Sequence, residues 1–201
     1  MEQPVTFDCD GLRLSGLLHR ADAERAVLVT HPHPLYGGNM YNPVVETVVR
    51  TYRSKGFTTL RFNFRGTGGS QGAYSDGEKE PDDVAAAIAF LAQAGFNRID
   101  LAGYSFGAWV CSRGADRYPG INRMMLVSPP VAFMNFEDVG ALPALDTVIT
   151  GSEDEFAPPA YIEKMMPLWN ARARIQIING ADHFYFGFDR DLEQIISKSI
   201  K

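Results

Sequence analysis

The stretch Gly103-Tyr104-Ser105-Phe106-Gly107 reads G-x-S-x-G and lies between an apolar run, residues 98–102, and a segment, residues 108–111, that can continue as a helix. A serine hydroxyl becomes a useful nucleophile when a sharp strand-to-helix turn exposes it, points it at a base and surrounds it with backbone N–H groups. Glycines two residues before and after the serine suit a turn where strand and helix pass too close for side chains. A chance turn also fits these five residues, so the surrounding sequence decides.

Strand-like and helix-like segments alternate along the chain after an opening pair of short strands. Asp10-Gly11 separates that pair and favours a tight antiparallel hairpin. The later strands are nearly continuous apolar runs, typical of a parallel sheet buried on both faces. We therefore predict an α/β fold with a mostly parallel sheet, an opening antiparallel hairpin and helices on both faces. The predicted strands cover residues 5–9, 12–18, 26–30, 57–64, 98–102, 124–128, 146–150 and 174–178. The predicted helices, which begin after the third strand, include residues 43–55, a segment between Pro81 and Gly95, and residues 161–169 and 189–199.

The composition predicts one globular domain, residues 1–201. Of 201 residues, 45% are hydrophobic and 21% charged, so the chain can bury a core without disulfides or metals. Its net charge of −5 and its scattered basic residues disfavour nucleic acid and membranes as partners. We interpret Cys9 and Cys111 as small buried hydrophobes. The longest apolar segment, residues 84–92, is too short to span a bilayer, and no signal-peptide pattern is recognised. We therefore expect a cytoplasmic protein. The sequence leaves the oligomeric state open.

Two features raise cofactor alternatives, and the sequence disfavours both. The glycine-rich loop at residues 65–72 follows a strand, but a dinucleotide fingerprint needs a third glycine and opens directly into a helix. Gln71 stands where that glycine belongs, and a long polar loop follows. His31 and His33 are separated by one residue without a nearby paired Cys or carboxylate, so we interpret them as loop-structuring groups. We therefore predict no cofactor and no metal.

The candidate base for the serine is His183. Polar residues follow several predicted strands, and the carboxyl ends of parallel strands meet at one edge of a sheet. Three of the four histidines, His19, His31 and His33, precede Ser105. In the chain order nucleophile, acid, histidine, only His183 remains, and it lies in the loop after the last predicted strand.

The acid of such a site accepts the second imidazole N–H and stabilises the imidazolium that forms. Three adjacent acidic residues, 153–155, follow the strand that Gly151 ends. We choose Asp154, because the third residue after such a glycine is a familiar acid position in the α/β-hydrolase arrangement that this segment resembles, whereas Asp146 lies at the opposite end of the strand. The other carboxylates that stay open are Glu153 and Glu155 beside it, and Glu137 and Asp138 in the loop after the preceding strand.

The developing oxyanion of an acyl transfer needs backbone N–H donors. We predict the N–H of Phe106, which follows the serine, and one N–H from the loop at residues 31–38. The prolines of this loop have no N–H, so His33 is the preferred donor and Leu35 the second choice. The aromatic residues that border the site in sequence, and that we expect to line a small apolar pocket, are Tyr36, Tyr104, Phe156 and Phe184.

Together these motifs resemble the α/β-hydrolase superfamily. HPHPLYGGNM, RFNFRGTGGSQG, GYSFG, GSEDEF and ADHF look like the strand-end motifs of a small cap-less group of bacterial hydrolases. The resemblance implies an eight-stranded sheet and a catalytic site of Ser105, Asp154 and His183. It also implies an oxyanion hole at His33 and Phe106. More distantly, the chain resembles dienelactone hydrolases, whose nucleophile is cysteine, and prolyl-oligopeptidase catalytic domains, whose proteins carry an extra propeller.

Three function hypotheses follow. The first is a serine hydrolase that forms a covalent acyl-enzyme, most simply a carboxylesterase for short acyl esters with a small-molecule substrate. The second keeps the site and changes the bond or acceptor, giving a thioesterase, an acyltransferase or a small-peptide hydrolase. The third is a ligand-binding protein that kept the fold without turnover. Only about 15 residues separate the sixth and seventh strands, too few for a cap domain, so we expect a shallow, open pocket.

Overall fold

The computed structural model describes residues 1–21 and 24–200, and within them an eight-stranded sheet is flanked by five α-helices. Pro43 starts the first helix and Asn42 caps it, because the Asn42 side chain accepts a hydrogen bond from the Val44 N–H at 2.9 Å. The elements match the predicted ones to within a few residues at each end. The strands are β1 (Gln3–Cys9), β2 (Leu12–His19), β3 (Arg25–Thr30), β4 (Thr58–Phe62), β5 (Arg98–Tyr104), β6 (Ile121–Val127), β7 (Leu145–Gly151) and β8 (Arg174–Ile178), and the helices are α1 (Pro43–Ser54), α2 (Glu80–Gln93), α3 (Phe106–Arg113), α4 (Pro159–Asn170) and α5 (Asp189–Ser199).

The strand order across the sheet is β1-β2-β4-β3-β5-β6-β7-β8. β2 pairs antiparallel with β1 and β4, and the other neighbours pair in parallel. Asp10 and Gly11 have φ angles of 49° and 83°, the left-handed values that a tight hairpin turn requires. The predicted mostly parallel sheet with an opening hairpin is confirmed. Because β3 to β8 run in one direction, their carboxyl ends share one edge.

Two hydrophobic cores lie on opposite faces of the sheet. One contains side chains of α2, α3 and α4, and the other contains side chains of α1 and α5. β3 contributes to both, because Ala26 and Leu28 point to the first core while Val27 and Val29 point to the second. A strand buried on both faces is apolar at every position, which explains the continuous apolar run. Helices on both faces are therefore confirmed.

The glycine-rich loop after β4 is anchored to α2 by a buried ion pair. Arg65 Nη2 donates to Asp83 Oδ1 at 2.6 Å, and the Arg65 backbone N–H donates to Asp83 Oδ2 at 2.9 Å.

Both cysteines, Cys9 and Cys111, are buried free thiols, as predicted. Cys9 packs beside the ion pair of Arg65 and Asp83. Burial raises the pKa of each thiol to about 12, so both stay protonated at neutral pH.

The connection between β6 and β7, residues 128–144, consists of turns and forms no separate cap. Phe136 and Leu142 of this connection enter the first core. Within residues 1–21 and 24–200, then, no segment forms a cap domain, as expected. Among the residues that the structure describes, no helix has the length and apolarity needed to cross a membrane.

Candidate active site

Ser105 occupies a strained turn between β5 and α3, with φ 54° and ψ −119°. A positive φ is rare for a residue other than glycine. A Cβ placed on Gly103 would lie 2.7 Å from the Ala108 backbone nitrogen, and one placed on Gly107 would lie 2.8 Å from the His31 carbonyl oxygen. Strand, helix and neighbouring loop therefore approach closely at both glycines, as the motif predicts. The turn holds the serine hydroxyl at the carboxyl edge of the sheet.

Three predicted residues meet at this edge in a line of hydrogen bonds. The Ser105 Oγ lies 2.9 Å from His183 Nε2. His183 Nδ1 lies 2.9 Å from Asp154 Oδ1 and 3.0 Å from Asp154 Oδ2. A carboxylate only accepts hydrogen bonds, so Nδ1 carries the imidazole proton and Nε2 is left to accept from the serine hydroxyl. All three side chains are buried.

The Asp154 carboxylate is fixed by the loop that follows β7. Its Oδ1 also accepts hydrogen bonds from the backbone N–H groups of Phe156 at 3.0 Å and Ala157 at 2.8 Å. Burial alone raises the pKa of this carboxyl, but the hydrogen bonds that it accepts, from His183 first and also from the Ala157 N–H, hold the pKa below its ordinary value. Asp154 is therefore ionised at neutral pH. The alternative carboxylates Glu137, Asp138, Glu153 and Glu155 are exposed, and the structure does not bring them to His183.

The His183 ring is held from several sides. The Tyr104 hydroxyl donates to the His183 carbonyl oxygen at 2.9 Å, and the Phe156 ring centroid lies 4.8 Å from the imidazole. Phe184 contacts the same imidazole edge-on, with the ring centroids 5.6 Å apart. Tyr104 is buried, and its hydroxyl is already engaged, so it orients the loop that carries His183 as well as lining the cleft.

Two buried residues behind this line are not among those predicted from the sequence. The Ser128 and Tyr185 hydroxyls lie 2.7 Å apart, and both residues have positive φ angles, 45° and 58°. Ser128 follows β6 directly, so a polar residue at the carboxyl end of a strand was the available sequence signal. Tyr185 follows His183 by two residues and gives no signal, because an aromatic residue in a loop fits many roles.

The two predicted oxyanion donors, the N–H groups of His33 and Phe106, belong to residues that line one cleft. Neither N–H donates to another group within residues 1–21 and 24–200, and Phe106 begins its helix, where an N–H has no intrahelical partner. The Leu35 N–H donates to His33 Nδ1 at 3.3 Å, so the second choice is already engaged. His33 Nε2 then carries the ring proton and donates to the Tyr74 hydroxyl at 3.0 Å.

His31 has a structural environment. Its Nε2 accepts from the Phe64 N–H at 3.0 Å, and its Nδ1 donates to the Pro32 carbonyl oxygen at 2.7 Å. Burial lowers the pKa of this imidazole to about 4, so the ring is neutral at pH 7. Both nitrogens are occupied, which agrees with a loop-structuring role and leaves no lone pair for a metal ion.

The cleft beside Ser105 has a volume of about 520 Å³ and opens to solvent. All four predicted pocket residues line it: Tyr36, Tyr104, Phe156 and Phe184. The connection between β6 and β7 adds side chains that are not predicted from the sequence, because an apolar residue in an irregular loop has no periodicity to reveal its direction. These additional lining residues are Pro130, Phe133 and Met134. No Asp, Glu, Lys or Arg of the described chain lines the cleft.

Comparison with known families matches residues 26–148 to the model of the alpha/beta hydrolase family. The chain belongs to the alpha/beta hydrolase family. RP471 of Rickettsia prowazekii is 37% identical to this hydrolase over 185 residues, which covers 86% of this chain and 78% of that protein.

Solved structures agree with this family. An alpha-beta serine hydrolase homologue from Coxiella burnetii superposes with a TM-score of 0.90 at 28% identity, covering 99% of this chain and 97% of that one. XC6422 from Xanthomonas campestris, described as a serine hydrolase without a lid, also superposes with a TM-score of 0.90, at 27% identity and with coverage of 99% and 93%. The predicted α/β-hydrolase fold is confirmed, and the neighbours support a hydrolase.

Proposed function

We propose that this hydrolase cleaves carboxylic esters of short acyl groups, with Ser105 as nucleophile, His183 as general base and Asp154 as the acid. The observation that carries the proposal is the continuous line of hydrogen bonds, 2.9 Å from Ser105 Oγ to His183 Nε2 and 2.9 Å from His183 Nδ1 to Asp154 Oδ1. This geometry prepares the serine proton for transfer and fixes the imidazole tautomer that accepts it.

The reaction begins when Ser105 Oγ attacks the ester carbonyl carbon while its proton passes to His183 Nε2. The carbonyl oxygen becomes an oxyanion that accepts from the N–H groups of His33 and Phe106. The tetrahedral intermediate collapses, His183 gives the proton to the departing alkoxide, and an acyl-serine and an alcohol result. Asp154 stabilises the transient imidazolium throughout.

A water molecule completes the cycle. His183 Nε2 takes a proton from the water as its oxygen attacks the acyl-serine, and the same pair of N–H groups binds the second oxyanion. Collapse returns the proton to Ser105 Oγ and releases a carboxylic acid. The open cleft gives water access to the acyl-serine.

The cleft lining supports an uncharged ester over a small peptide. A short peptide carries charged termini, which lose their hydration on entering a pocket and need compensating partners. No Asp, Glu, Lys or Arg of residues 1–21 and 24–200 lines the cleft to supply them. We therefore place the small-peptide hydrolase behind the esterase.

The test measures hydrolysis of p-nitrophenyl acetate by the wild type and by Ser105→Ala, with Ser54→Ala as a control in α1 outside the cleft. We expect Ser105→Ala to lower kcat by about 10³-fold or more, because the nucleophile is gone. A fluorophosphonate probe should label the wild type and Ser54→Ala alike. Labelling or turnover that persists in Ser105→Ala would overturn the proposal.

A further inference from the structure

Aromatic side chains follow one another around the cleft in an unbroken series, here called the aromatic rim. On one side of Ser105, the Phe106 ring centroid lies 4.9 Å from that of His33. The His33 centroid in turn lies 4.8 Å from that of Tyr36. The members of the rim are Phe106, His33, Tyr36, Phe133, Phe156 and His183, and all of them line the cleft.

The other half of the rim returns to the serine. Tyr36 and Phe133 are 6.5 Å apart between ring centroids, Phe133 and Phe156 are 5.7 Å apart, and Phe156 and His183 are 4.8 Å apart. The hydrogen bond from Ser105 to His183 closes the circuit. Phe133 therefore connects the loop after β3 with the loop after β7 across the cleft.

The outer members of the rim are far more exposed than core packing requires. Tyr36 is 76% exposed and Phe133 54% exposed, although large aromatic side chains normally contribute most when buried. Their mutual contacts are edge-on, with interplanar angles of 66° for Tyr36 and Phe133 and 77° for Phe133 and Phe156. An edge-on contact covers at most one face of one of the two rings, so each ring keeps a face that its partner does not cover. Contiguous exposed apolar surface of this kind marks a binding site.

The electrostatics of the cleft narrow the chemistry of its ligand. No charged side chain among the described residues lines it, and burial lowers the pKa of His33, which keeps that ring neutral. A charged ligand group would lose hydration there without gaining a partner. A planar aryl group, in contrast, can stack on one rim ring and meet another edge-on.

We propose that the aromatic rim is an aryl subsite, so that the preferred esters carry a neutral aromatic ring, and that Phe133 is its specificity-determining residue. This inference rests on the proposed esterase function and names its substrate class. Phe133 is assigned this role because it is the member that contacts both sides of the rim while keeping half of its surface free for a ligand.

The test uses two matched pairs of esters. Ethyl phenylacetate and ethyl cyclohexylacetate carry an aromatic and a saturated ring, respectively, on the acyl side. Benzyl acetate and cyclohexylmethyl acetate carry the same two rings on the alcohol side. One methylene separates each ring from the ester, so the carbonyl reactivity within a pair is similar. In at least one pair, we expect kcat/KM for the aryl ester to be about three- to tenfold higher than kcat/KM for the cyclohexyl ester. The reason is that ring–ring contacts add to simple apolar burial.

Phe133→Leu tests the assigned residue, since leucine keeps an apolar side chain and removes the ring. We expect the ratio of kcat/KM for the aryl ester to kcat/KM for its cyclohexyl counterpart to fall to about one. The matched control is Tyr161→Leu, which removes an exposed ring of α4 outside the cleft and should leave the preference unchanged. Wild-type ratios near one in both pairs, or an aryl preference that survives Phe133→Leu, overturn the proposal.

Binding separates this proposal from the proposed function. Phenylacetamide and cyclohexylacetamide are titrated by NMR into Ser105→Ala, which has no nucleophile, so their Kd values report the subsite alone. Tighter binding of phenylacetamide, lost in the Ser105→Ala, Phe133→Leu double variant, supports the aryl subsite even where ester turnover fails. Equal Kd values in Ser105→Ala overturn it even where fluorophosphonate labelling of the wild type upholds the serine hydrolase.

Discussion

At the scale of single residues, the Asp154 carboxylate is distinguished from its neighbours by burial and by its three hydrogen-bond donors. Glu153 and Glu155 flank it in sequence but point into solvent. The carboxylate that meets His183 is the one whose ionised form is stabilised by that histidine and by two backbone N–H groups. Position in the loop, more than acidity of the segment, therefore decides which carboxylate contacts His183.

Asp154→Asn is expected to lower kcat for p-nitrophenyl acetate by about 10³- to 10⁴-fold, because an amide no longer holds the imidazole proton on His183 Nδ1. The asparagine Oδ1 still accepts from Phe156 and Ala157, so the fold should persist by circular dichroism. Glu153→Gln is the control and should change kcat by less than about twofold. Full activity in Asp154→Asn would mean that another carboxylate serves His183.

The Tyr74 hydroxyl accepts a hydrogen bond from His33 Nε2 at 3.0 Å and so contacts the loop that carries the proposed oxyanion donor. Removing that hydroxyl in Tyr74→Phe should loosen the loop that presents the His33 N–H. We expect kcat to fall about five- to tenfold with KM nearly unchanged, because the oxyanion forms after the substrate is bound. Tyr161→Phe is the matched control. A change confined to KM would indicate a role in substrate binding instead.

At the scale of elements, the turn from β5 to α3 depends on the two glycines of the motif. Gly107→Ala places a methyl group 2.8 Å from the His31 carbonyl oxygen, and backbone atoms cannot yield as a side chain can. We expect a loss of about 1–3 kcal/mol in the free energy of unfolding, measured by urea denaturation. Gly140→Ala is the control, because nothing lies within 4 Å of its added Cβ. Equal stability of the two variants would contradict the close approach.

The ends of the regular elements follow from sequence patterns to different extents. β8 and α5 have the predicted bounds, because β-branched runs and helical spacing define them. β6 begins at Ile121, three residues before the predicted start, since its first residues are partly exposed and lack the continuous apolar pattern. Ser105 and His183 were predictable because each follows a strand of a parallel sheet. Tyr74 and Phe133 were not, because irregular loops carry no periodicity.

For the molecule as a whole, the net charge and the cleft lining both disfavour an anionic substrate. The chain carries a net charge of −5, and the cleft has no charged lining residue within the described chain. Anionic substrates therefore meet an unfavourable long-range field and an uncharged pocket. A neutral ester is not repelled by this field and carries no charge that loses hydration in the cleft.

This predicts discrimination between ethyl butanoate and monoethyl succinate, whose acyl groups have equal length and differ by a carboxylate. We expect kcat/KM for the succinate to be lower by about tenfold or more at low ionic strength. Added salt should recover only the long-range part of that difference. Equal rates for the two esters would mean that an additional cationic group receives the carboxylate.

The most direct test of the serine-hydrolase account is to locate the adduct of a fluorophosphonate by peptide mass spectrometry. The proposed line from Asp154 through His183 to Ser105 predicts one phosphonyl group per chain, on Ser105 Oγ, and its loss in His183→Ala. Ester hydrolysis that continues after Ser105 is fully phosphonylated, or an adduct on another residue, would contradict the account.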